Sequence, residues 1–318
     1  MRYICTYFDI NFLPRGMALI DSLDKYADDY TLYILALDTE VIEYFEKLKK
    51  KNINLITVNE YIEYFKIDKS KYSTQKEFYF SLTAGLCLYL LKNNNFIDLL
   101  LYLDADVYLF NNIDILYNEI GNYSISICSQ RLPWYNSKKY GLYNVGVNSF
   151  RNDEEGLKCL INWHTDCISW EKGQKNYKLD FFSDQIWLDN WPSKYKNIKI
   201  IEHIGINTAP WNVMNYKITD QEGEYYINDK PLVIYHFSSL KYLGNNEWHG
   251  NTSFTILNIK NVLFSVYNQY LLNVNKYLEY NQMSNTLKID FSGNKIKYII
   301  YNLLKYFHKH TIKVEKGI

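Results

Sequence analysis

The stretch DLLLYLDADVYLF, residues 98–110, places two aspartates, Asp104 and Asp106, between two runs of apolar and aromatic residues. Side chains two positions apart on a strand point to the same side, so we expect the two carboxylates to lie together. Burying such a pair without partners would be very costly. The carboxyl edge of a central strand avoids this cost, because ligands bind there in open α/β sheets. The stretch therefore predicts a strand that carries both aspartates to a binding edge.

Short apolar runs alternate with amphipathic stretches in the first part of the chain. We interpret YICTYF, TLYILAL and INLITV as strands, with MALIDSLDKYA and VIEYFEKLKKK as the helices between them. This alternation predicts an α/β fold with a mostly parallel central sheet flanked by helices. After about residue 255 the pattern becomes helical. We therefore expect one α/β domain over residues 1–252 and a helical C-terminal extension over residues 253–318.

Composition narrows the class of protein. A hydrophobic fraction of 47%, a charged fraction of 22% and a formal net charge of zero indicate a soluble globular protein with no general attraction to nucleic acid. Five cysteines without a C-x-x-C pair argue against a disulfide framework and a structural zinc site. Neither a signal peptide nor a membrane span is expected. We predict a cytoplasmic location.

Two neighbouring carboxylates suit a hard divalent cation that also binds phosphate oxygens. A D-x-D tripeptide also arises by chance, with solvated acids at the end of a strand, but the apolar runs on both sides argue against a solvated turn. In haloacid-dehalogenase-like phosphatases the motif has Thr or Val at the position where this chain has Tyr108. Nucleotidyltransferases that make sugar nucleotides have a Gly-rich basic loop where this chain has FDINFLPRGMAL. Both alternatives fit poorly.

Other polar residues are candidates for the same site. His236 ends the apolar run PLVIYH and is the best-placed third ligand, although a lone histidine is more often a core residue. An imidazole beside carboxylates favours manganese over magnesium. Asp184 and Gln185 begin a helix-like segment, where an acid is ordinarily a cap. Asn144 stands near Gly146, which allows close approach of a ligand, or the two simply belong to a strand and its turn.

The motifs CTYFD, YLDADVYLF, YNVGVNSFRN, SDQIWLDNWP, NTAPWN and YHFSSLK occur in that order over residues 1–245. Together they resemble bacterial nucleotide-diphospho-sugar transferases related to glycosyltransferase family 8, the family of glycogenin and lipooligosaccharide galactosyltransferases. The resemblance implies a GT-A fold and metal-dependent transfer of a sugar with retention of anomeric configuration. A nucleotide-diphospho-sugar is the implied donor, with a UDP-sugar expected first. The implied acceptor is a glycan or lipid-linked glycan of a lipopolysaccharide or capsule.

The resemblance also implies roles for single residues. Asp104, Asp106 and His236 would hold Mn²⁺ (or Mg²⁺), and Ala105 between the aspartates belongs to the donor site. The remaining donor residues would be Thr6, Tyr7, Phe8 and Asp9 at the nucleotide, Asn144 and Gly146 at the sugar, and Lys241 at the leaving diphosphate. A basic residue that the relatives place before the D-x-D motif stands at a different distance here, and Lys76 is our candidate.

Asp184 and Gln185 would lie beneath the anomeric carbon as the catalytic pair. Retention permits a covalent intermediate on Asp184, or attack from the leaving-group face with a diphosphate oxygen as base. The sequence leaves both mechanisms open. Trp211 and Asn212 are candidates for an acceptor-binding edge, although Trp211 is equally well a core residue. The alternative function is a catalytically silent glycan- or nucleotide-binding protein on the same fold.

The C-terminal segment is basic and amphipathic. Residues 294–318 contain six lysines and one glutamate. Apolar residues recur at helical spacing at Ile296, Ile299, Ile300, Leu303 and Phe307. Such a helix fits an anionic membrane surface, which would place the protein peripherally on the cytoplasmic face of the inner membrane. The alternative is a helix docked on the main domain with a solvated lysine face.

Overall fold

The computed structural model describes residues 1–72, 74–132, 140–169, 184–250, 262–278 and 311–314. Strands and helices alternate in the first part as predicted. The elements are β1 (Arg2–Phe8), α1 (Leu13–Tyr26), β2 (Tyr30–Ala36), α2 (Thr39–Leu48), β3 (Ile53–Thr57) and α3 (Val58–Phe65). The side chains of Asp38 and Thr57 cap the amino ends of α2 and α3 by accepting backbone N–H groups.

The middle of the chain carries a buried helical segment and the D-x-D stretch. The helix is divided at Ser81 into α4 (Gln75–Phe80) and α5 (Leu82–Asn93). The following elements are β4 (Leu99–Leu103), β5 (Val107–Leu109), α6 (Asp114–Ile120), β6 (Ile125–Ser129), β7 (Tyr143–Arg151) and α7 (Glu154–Ile168). Nearly all of α5 is buried, which explains its uniformly apolar sequence.

Short elements dominate the last part. A 3₁₀ helix (Gln185–Asn190) leads into α8 (Trp191–Lys194) and β8 (Ile198–Ile201). Beyond it lie β9 (Ile218–Gln221), β10 (Glu224–Ile227), β11 (Lys230–Pro231), β12 (Ile234–His236), β13 (Lys241–Gly244), β14 (Glu247–His249), α9 (Val262–Asn275) and β15 (Thr311–Lys313). The strand β15 was not predicted, and it pairs with β14.

The central sheet has seven strands in the order β3-β2-β1-β4-β7-β6-β8. Every neighbouring pair is parallel except the two that include β7, which runs antiparallel to β4 and β6. Side chains of β1 alternate between two cores: Ile4 packs with α1, α2 and α6, whereas Cys5 packs with α3, α5 and α7. The predicted α/β class, with a mostly parallel sheet flanked by helices, is confirmed.

A third core joins the C-terminal elements to the rest. Tyr108 of β5, Phe237 after β12 and Tyr270 of α9 belong to it, and the rings of Phe237 and Tyr270 stack at 3.8 Å. The predicted boundary between residues 252 and 253 lies outside the described residues. So does the predicted amphipathic tail over residues 294–318, except for 311–314, which include β15 and not a helix. All five cysteines are free and buried. Within the described ranges, no helix has the length and apolar character needed to cross a bilayer.

Candidate functional site

Asp104 and Asp106 lie in a turn, not on a strand. β4 ends at Leu103 and β5 begins at Val107, so our prediction that one strand carries both aspartates was wrong. The backbone N–H of Val107 donates to the Asp104 carbonyl and closes the turn (3.2 Å). The chain leaves the central sheet here, because β4 pairs with β1 and β7 whereas β5 pairs with β12. The turn still occupies the carboxyl end of β4.

The pairing of β5 with β12 brings His236 to the aspartates. His236 lies opposite Val107 in this antiparallel pair. Its Nε2 is 3.1 Å from Asp106 Oδ1 and 3.6 Å from Asp104 Oδ2. One potential ligand atom from each of the three residues lies within 4.8 Å of the others. His236 is buried and both aspartates are half-buried.

The three charges perturb one another. Burial raises the pKa of Asp104 above its usual range, and the nearby Asp106 contributes to the rise despite the opposing effect of His236. Burial also opposes ionisation of Asp106, but His236, followed by Arg15, lowers the pKa of Asp106 overall. For His236, burial acts to lower the pKa, and the two carboxylates more than reverse that effect. The two carboxylates therefore make the cluster a site where a bound cation would be electrostatically stabilised.

Gly146 supports the imidazole from behind. A Cβ atom at this position would lie 2.6 Å from Cε1 and Nδ1 of His236, so the ring rests directly against the β7 backbone. The Gly146 carbonyl accepts the Asp104 N–H at 2.9 Å. β7 carries Gly146 here because its amino end meets the carboxyl end of β4 in the antiparallel pair. A side chain at position 146 would displace His236.

A chain of amide hydrogen bonds runs from β7 to the 3₁₀ helix. Asn144 Oδ1 accepts the Gly146 N–H at 2.9 Å, and Asn144 Nδ2 donates to Gln185 Oε1 at 3.0 Å. Gln185 Nε2 then donates to the Tyr140 carbonyl at 2.7 Å. These bonds fix the orientation of both amides. Asn144 and Gln185 are therefore held together as one rigid unit.

Asp184 lies next to this unit and is only 4% exposed. Burial, followed by repulsion from Asp104, raises the pKa of Asp184 to about 7. Its carbonyl accepts the Trp163 indole N–H at 3.0 Å. Its side chain does not cap the 3₁₀ helix that follows. A buried carboxyl that has a raised pKa and does not cap a helix is typical of a functional site.

A pocket of about 470 Å³ joins these residues. The wall includes most of the predicted site: Tyr7, Phe8, Asp9, Asp104, Ala105, Asp106, Asn144, Asp184, Gln185, Trp211 and His236. Asp9 lies just beyond the carboxyl end of β1, the neighbour of β4, and its Oδ1 accepts the Phe12 N–H at 3.1 Å. Residues distant in the sequence thus meet at one edge of the sheet.

Other predicted residues are not part of the wall. Thr6 is fully buried in β1, Gly146 lies behind His236, and Lys241 is exposed at the start of β13. Lys76 belongs to α4, and its side chain is outside the described part of the chain. Asn212 is fully buried, and its amide donates to the carbonyls of Gln130 and Asn207, both at 3.1 Å. In this fold Asn212 holds a loop together and presents no group to the pocket.

The pocket also contains aromatic residues that the sequence did not reveal. Tyr102 donates to Asp104 Oδ1 at 2.7 Å, and the wall further includes Phe12, Tyr79, Phe80 and Tyr140. Tyr102 belongs to β4 and Asp104 to the turn that follows, so their contact depends on the shape of that turn and could not be inferred from strand spacing. Trp211 lines the pocket and packs edge-on against His236, with 5.2 Å between the ring centres. Its indole N–H donates to the Gln130 carbonyl.

Two Bacillus subtilis (strain 168) proteins of uncharacterized function, YfnD and YfnF, are similar to this chain in sequence. YfnD is 23% identical over 268 residues, covering 83% of this chain and 85% of YfnD. YfnF is 24% identical over 253 residues, covering 76% of this chain and 83% of YfnF. No family model matches the chain.

A solved structure with the same architecture is the glycosyltransferase GlyE of Streptococcus pneumoniae TIGR4. It aligns with a TM-score of 0.50 and 16% identity over 87% of this chain. The alignment spans 63% of the GlyE chain. At this identity the likeness concerns the fold, and it agrees with the GT-A type of α/β fold predicted from the motifs.

Proposed function

We propose that the protein is a metal-dependent, retaining glycosyltransferase related to glycosyltransferase family 8. It would move a sugar, such as a hexose, from a nucleotide-diphosphate donor to a glycan acceptor. The observation that carries this proposal is the cluster of Asp104, Asp106 and His236 at the end of β4, in the same pocket as Asp184 and Gln185. The fold and the order of the motifs support the same assignment.

The cluster fits a divalent cation by the chemistry of its ligands. Two carboxylates and an imidazole within 4.8 Å of one another suit Mn²⁺, or Mg²⁺ where that ion is more abundant. Asp104, Asp106 and His236 would hold the ion. When bound, it supplies Lewis acidity toward the donor diphosphate. The neighbouring Tyr102 hydroxyl and the Gly146 backbone orient Asp104 and His236 for this task.

The donor nucleotide would lie against the carboxyl ends of β1 and β4. Tyr7, Phe8 and Asp9 line that part of the pocket together with Tyr79. Aromatic rings offer a stacking surface for a base, and Asp9 offers an acceptor for ribose hydroxyls. We expect a UDP-sugar.

The reacting sugar would lie between the cluster and the 3₁₀ helix. Burial and the nearby Asp104 raise the pKa of Asp184 to about 7, and in its ionised form Asp184 would stabilise positive charge that develops at the anomeric carbon. Gln185 and Asn144 are already bonded to each other and to backbone, which suits a role in positioning the donor. This arrangement is compatible with retention by either a covalent intermediate on Asp184 or attack from the leaving-group face.

The acceptor would enter past Trp211, whose ring lies at the wall near His236. An acceptor glycan, free or lipid-linked, would fit a role in lipopolysaccharide or other surface polysaccharide synthesis. A basic amphipathic tail over residues 294–318 would keep such an enzyme on the cytoplasmic face of the membrane.

A thermal-shift panel of UDP-, GDP- and CMP-sugars, each with and without Mn²⁺, tests this function. We expect stabilisation by one nucleotide class that depends on the metal, because ligands of the native state raise the melting temperature. Release of nucleoside diphosphate from that donor would then report turnover. Metal-dependent binding without hydrolysis or transfer, with glycan acceptors supplied, would instead indicate the catalytically silent binding protein.

A further inference from the structure

Arg15, on the first turn of α1, is a buried cation that bonds to a backbone carbonyl. Arg15 is 9% exposed, and its Nη2 donates to the Leu240 carbonyl at 2.9 Å. The guanidinium carbon lies 4.6 Å from the centre of the Phe12 ring and 5.8 Å from that of Trp248. Among the described residues, the ion pairs do not include Arg15.

A buried guanidinium is normally compensated by an anion or by several acceptors. Within the described ranges, the Leu240 carbonyl is the one protein acceptor bonded to the guanidinium of Arg15. The buried donors that lack a partner include Nε of Arg131 and of Arg151, but none of the Arg15 nitrogens. The unused N–H groups of Arg15 are therefore still accessible from outside the protein. This is the state expected of a cation that awaits an anionic ligand.

The position of Arg15 connects it to the pocket. Phe12, which the guanidinium stacks on, lines the wall, as do Ser238 and Ser239 immediately before Leu240. Ser239 has a φ of 63°, so the backbone of this loop is held in a conformation that non-glycine residues rarely adopt.

A diphosphate bound in this pocket would require additional positive charge. Its described wall contains four aspartates, namely Asp9, Asp104, Asp106 and Asp184, and neither lysine nor arginine. Two carboxylate ligands already balance a divalent cation, so the negative charge of a departing diphosphate would remain uncompensated. Lys241, which the motif resemblance assigned to this task, is exposed, whereas Arg15 is buried against the wall residue Phe12; neither side chain is itself part of the described wall.

We propose that Arg15 binds the diphosphate of the nucleotide donor, supplying the positive charge that the described pocket wall lacks. The inference rests on the proposed glycosyltransferase function and names a residue that the motifs did not indicate. A guanidinium binds phosphate oxygens through paired N–H groups, which a lysine cannot reproduce. Its bond to the Leu240 carbonyl also fixes the loop of Ser238 and Ser239 beside the cation cluster.

The test measures the affinity of UDP and of uridine for the full-length protein by calorimetry with Mn²⁺ present. Arg15→Met keeps an apolar stem against Phe12 and removes the charge, and Arg15→Lys keeps the charge without the paired donors. Lys25→Met is the matched control, because Lys25 is an exposed cation at the other end of the same helix. Circular dichroism would confirm that each variant is folded.

We expect Arg15→Met to weaken UDP binding by about tenfold or more, with uridine unchanged, since only UDP carries the phosphates. Arg15→Lys should recover part of the affinity, and Lys25→Met should match the wild type. Equal losses for UDP and uridine would show that Arg15 only supports the loop, and an unchanged UDP affinity would show that it does not face the diphosphate. Either result overturns the inference and leaves the glycosyltransferase proposal standing. A wild-type protein that binds no UDP overturns the inference as well, and the nucleotide-sugar panel then decides the broader function.

Discussion

His236 Nε2 lies 3.1 Å from Asp106 Oδ1, although 130 positions separate the two residues in the chain. The contact exists because β12 pairs antiparallel with β5 and places His236 opposite Val107, the residue after Asp106. One aspartate thus follows a strand of the central sheet, while the other precedes a strand of the small sheet that also carries the histidine. The cation site is built where the two sheets meet.

Replacing one acid of this cluster should abolish metal binding without unfolding the protein. We expect Asp104→Asn to remove the thermal stabilisation by Mn²⁺ and to reduce metal-dependent turnover by at least about a hundredfold, because a neutral amide is a poor ligand for a hard cation. Asp98→Asn, at an exposed acid just before β4, is the control. Wild-type turnover in Asp104→Asn would rule out the assigned metal site.

The buried carboxyl of Asp184 predicts a pH dependence of stability in the metal-free protein. Its native pKa of about 7 lies above that of an unfolded aspartate, so the native state holds more protons between about pH 4 and pH 7. The contribution of Asp184 to the free energy of unfolding is therefore fully present below that range. It is lost as the pH rises to 7, by about 4 kcal/mol in total.

Asp184→Asn should flatten this slope, and urea unfolding at pH 5 and pH 8 would measure it. The variant should be more stable than the wild type at pH 8, and the difference should be smaller at pH 5, where most of the Asp184 contribution remains. Asp98→Asn controls for the loss of a carboxylate outside the pocket. An identical slope in Asp184→Asn and wild type would mean that Asp184 is ionised throughout the range.

Gly146→Ala should disable the cation site specifically. The added methyl group would need the space of the His236 ring, which begins 2.6 Å away, so the imidazole must turn from the aspartates. We expect Mn²⁺ affinity, measured by calorimetry, to fall by about tenfold or more. Val147→Ala, a neighbouring buried position in β7, should lower the melting temperature but keep the affinity. Unaltered Mn²⁺ affinity in Gly146→Ala would contradict the role of His236 as a ligand.

Gln185→Met should separate donor positioning from metal binding. The substitution leaves Asn144 Nδ2 without its acceptor, at a cost of about 1–3 kcal/mol if the group stays buried, whereas the Tyr140 carbonyl keeps its bond from the Gln130 amide. We expect the KM for the donor to rise and kcat to fall, while Mn²⁺ still stabilises the protein. Steady-state kinetics beside a Mn²⁺ titration would show this split. A variant with wild-type kinetics would remove Gln185 from the site.

The alternating strands and helices of the first part of the chain were predicted well, because the pattern that identifies each of them lies within its own residues. β1 is a short apolar run, and apolar positions recur on one side of α2, so each element could be recognised from its own residues. The division of the D-x-D stretch into two strands was missed for the opposite reason. Both flanks are equally apolar, and the partner that draws Val107 out of the central sheet is more than a hundred residues away.

The same limit explains which site residues were found. Acids, amides and histidine at strand ends are visible in a sequence because their chemistry is unusual there. Arg15 and Tyr79 are ordinary helix residues in the sequence, and only the folded chain brings them to Leu240 and to the pocket wall. In a chain with 32 tyrosines, an aromatic residue alone could not indicate a binding surface.

The change of sheet after Leu103 has a mechanical consequence. Asp104 is anchored to β7 through the Gly146 carbonyl, while the Asp106 carbonyl accepts the N–H of Phe237, whose ring stacks on α9. A cation held between the two aspartates would link the seven-stranded sheet to the C-terminal aromatic core. Loading the ion should therefore protect α9 from amide hydrogen exchange, although that helix supplies none of the proposed ligands.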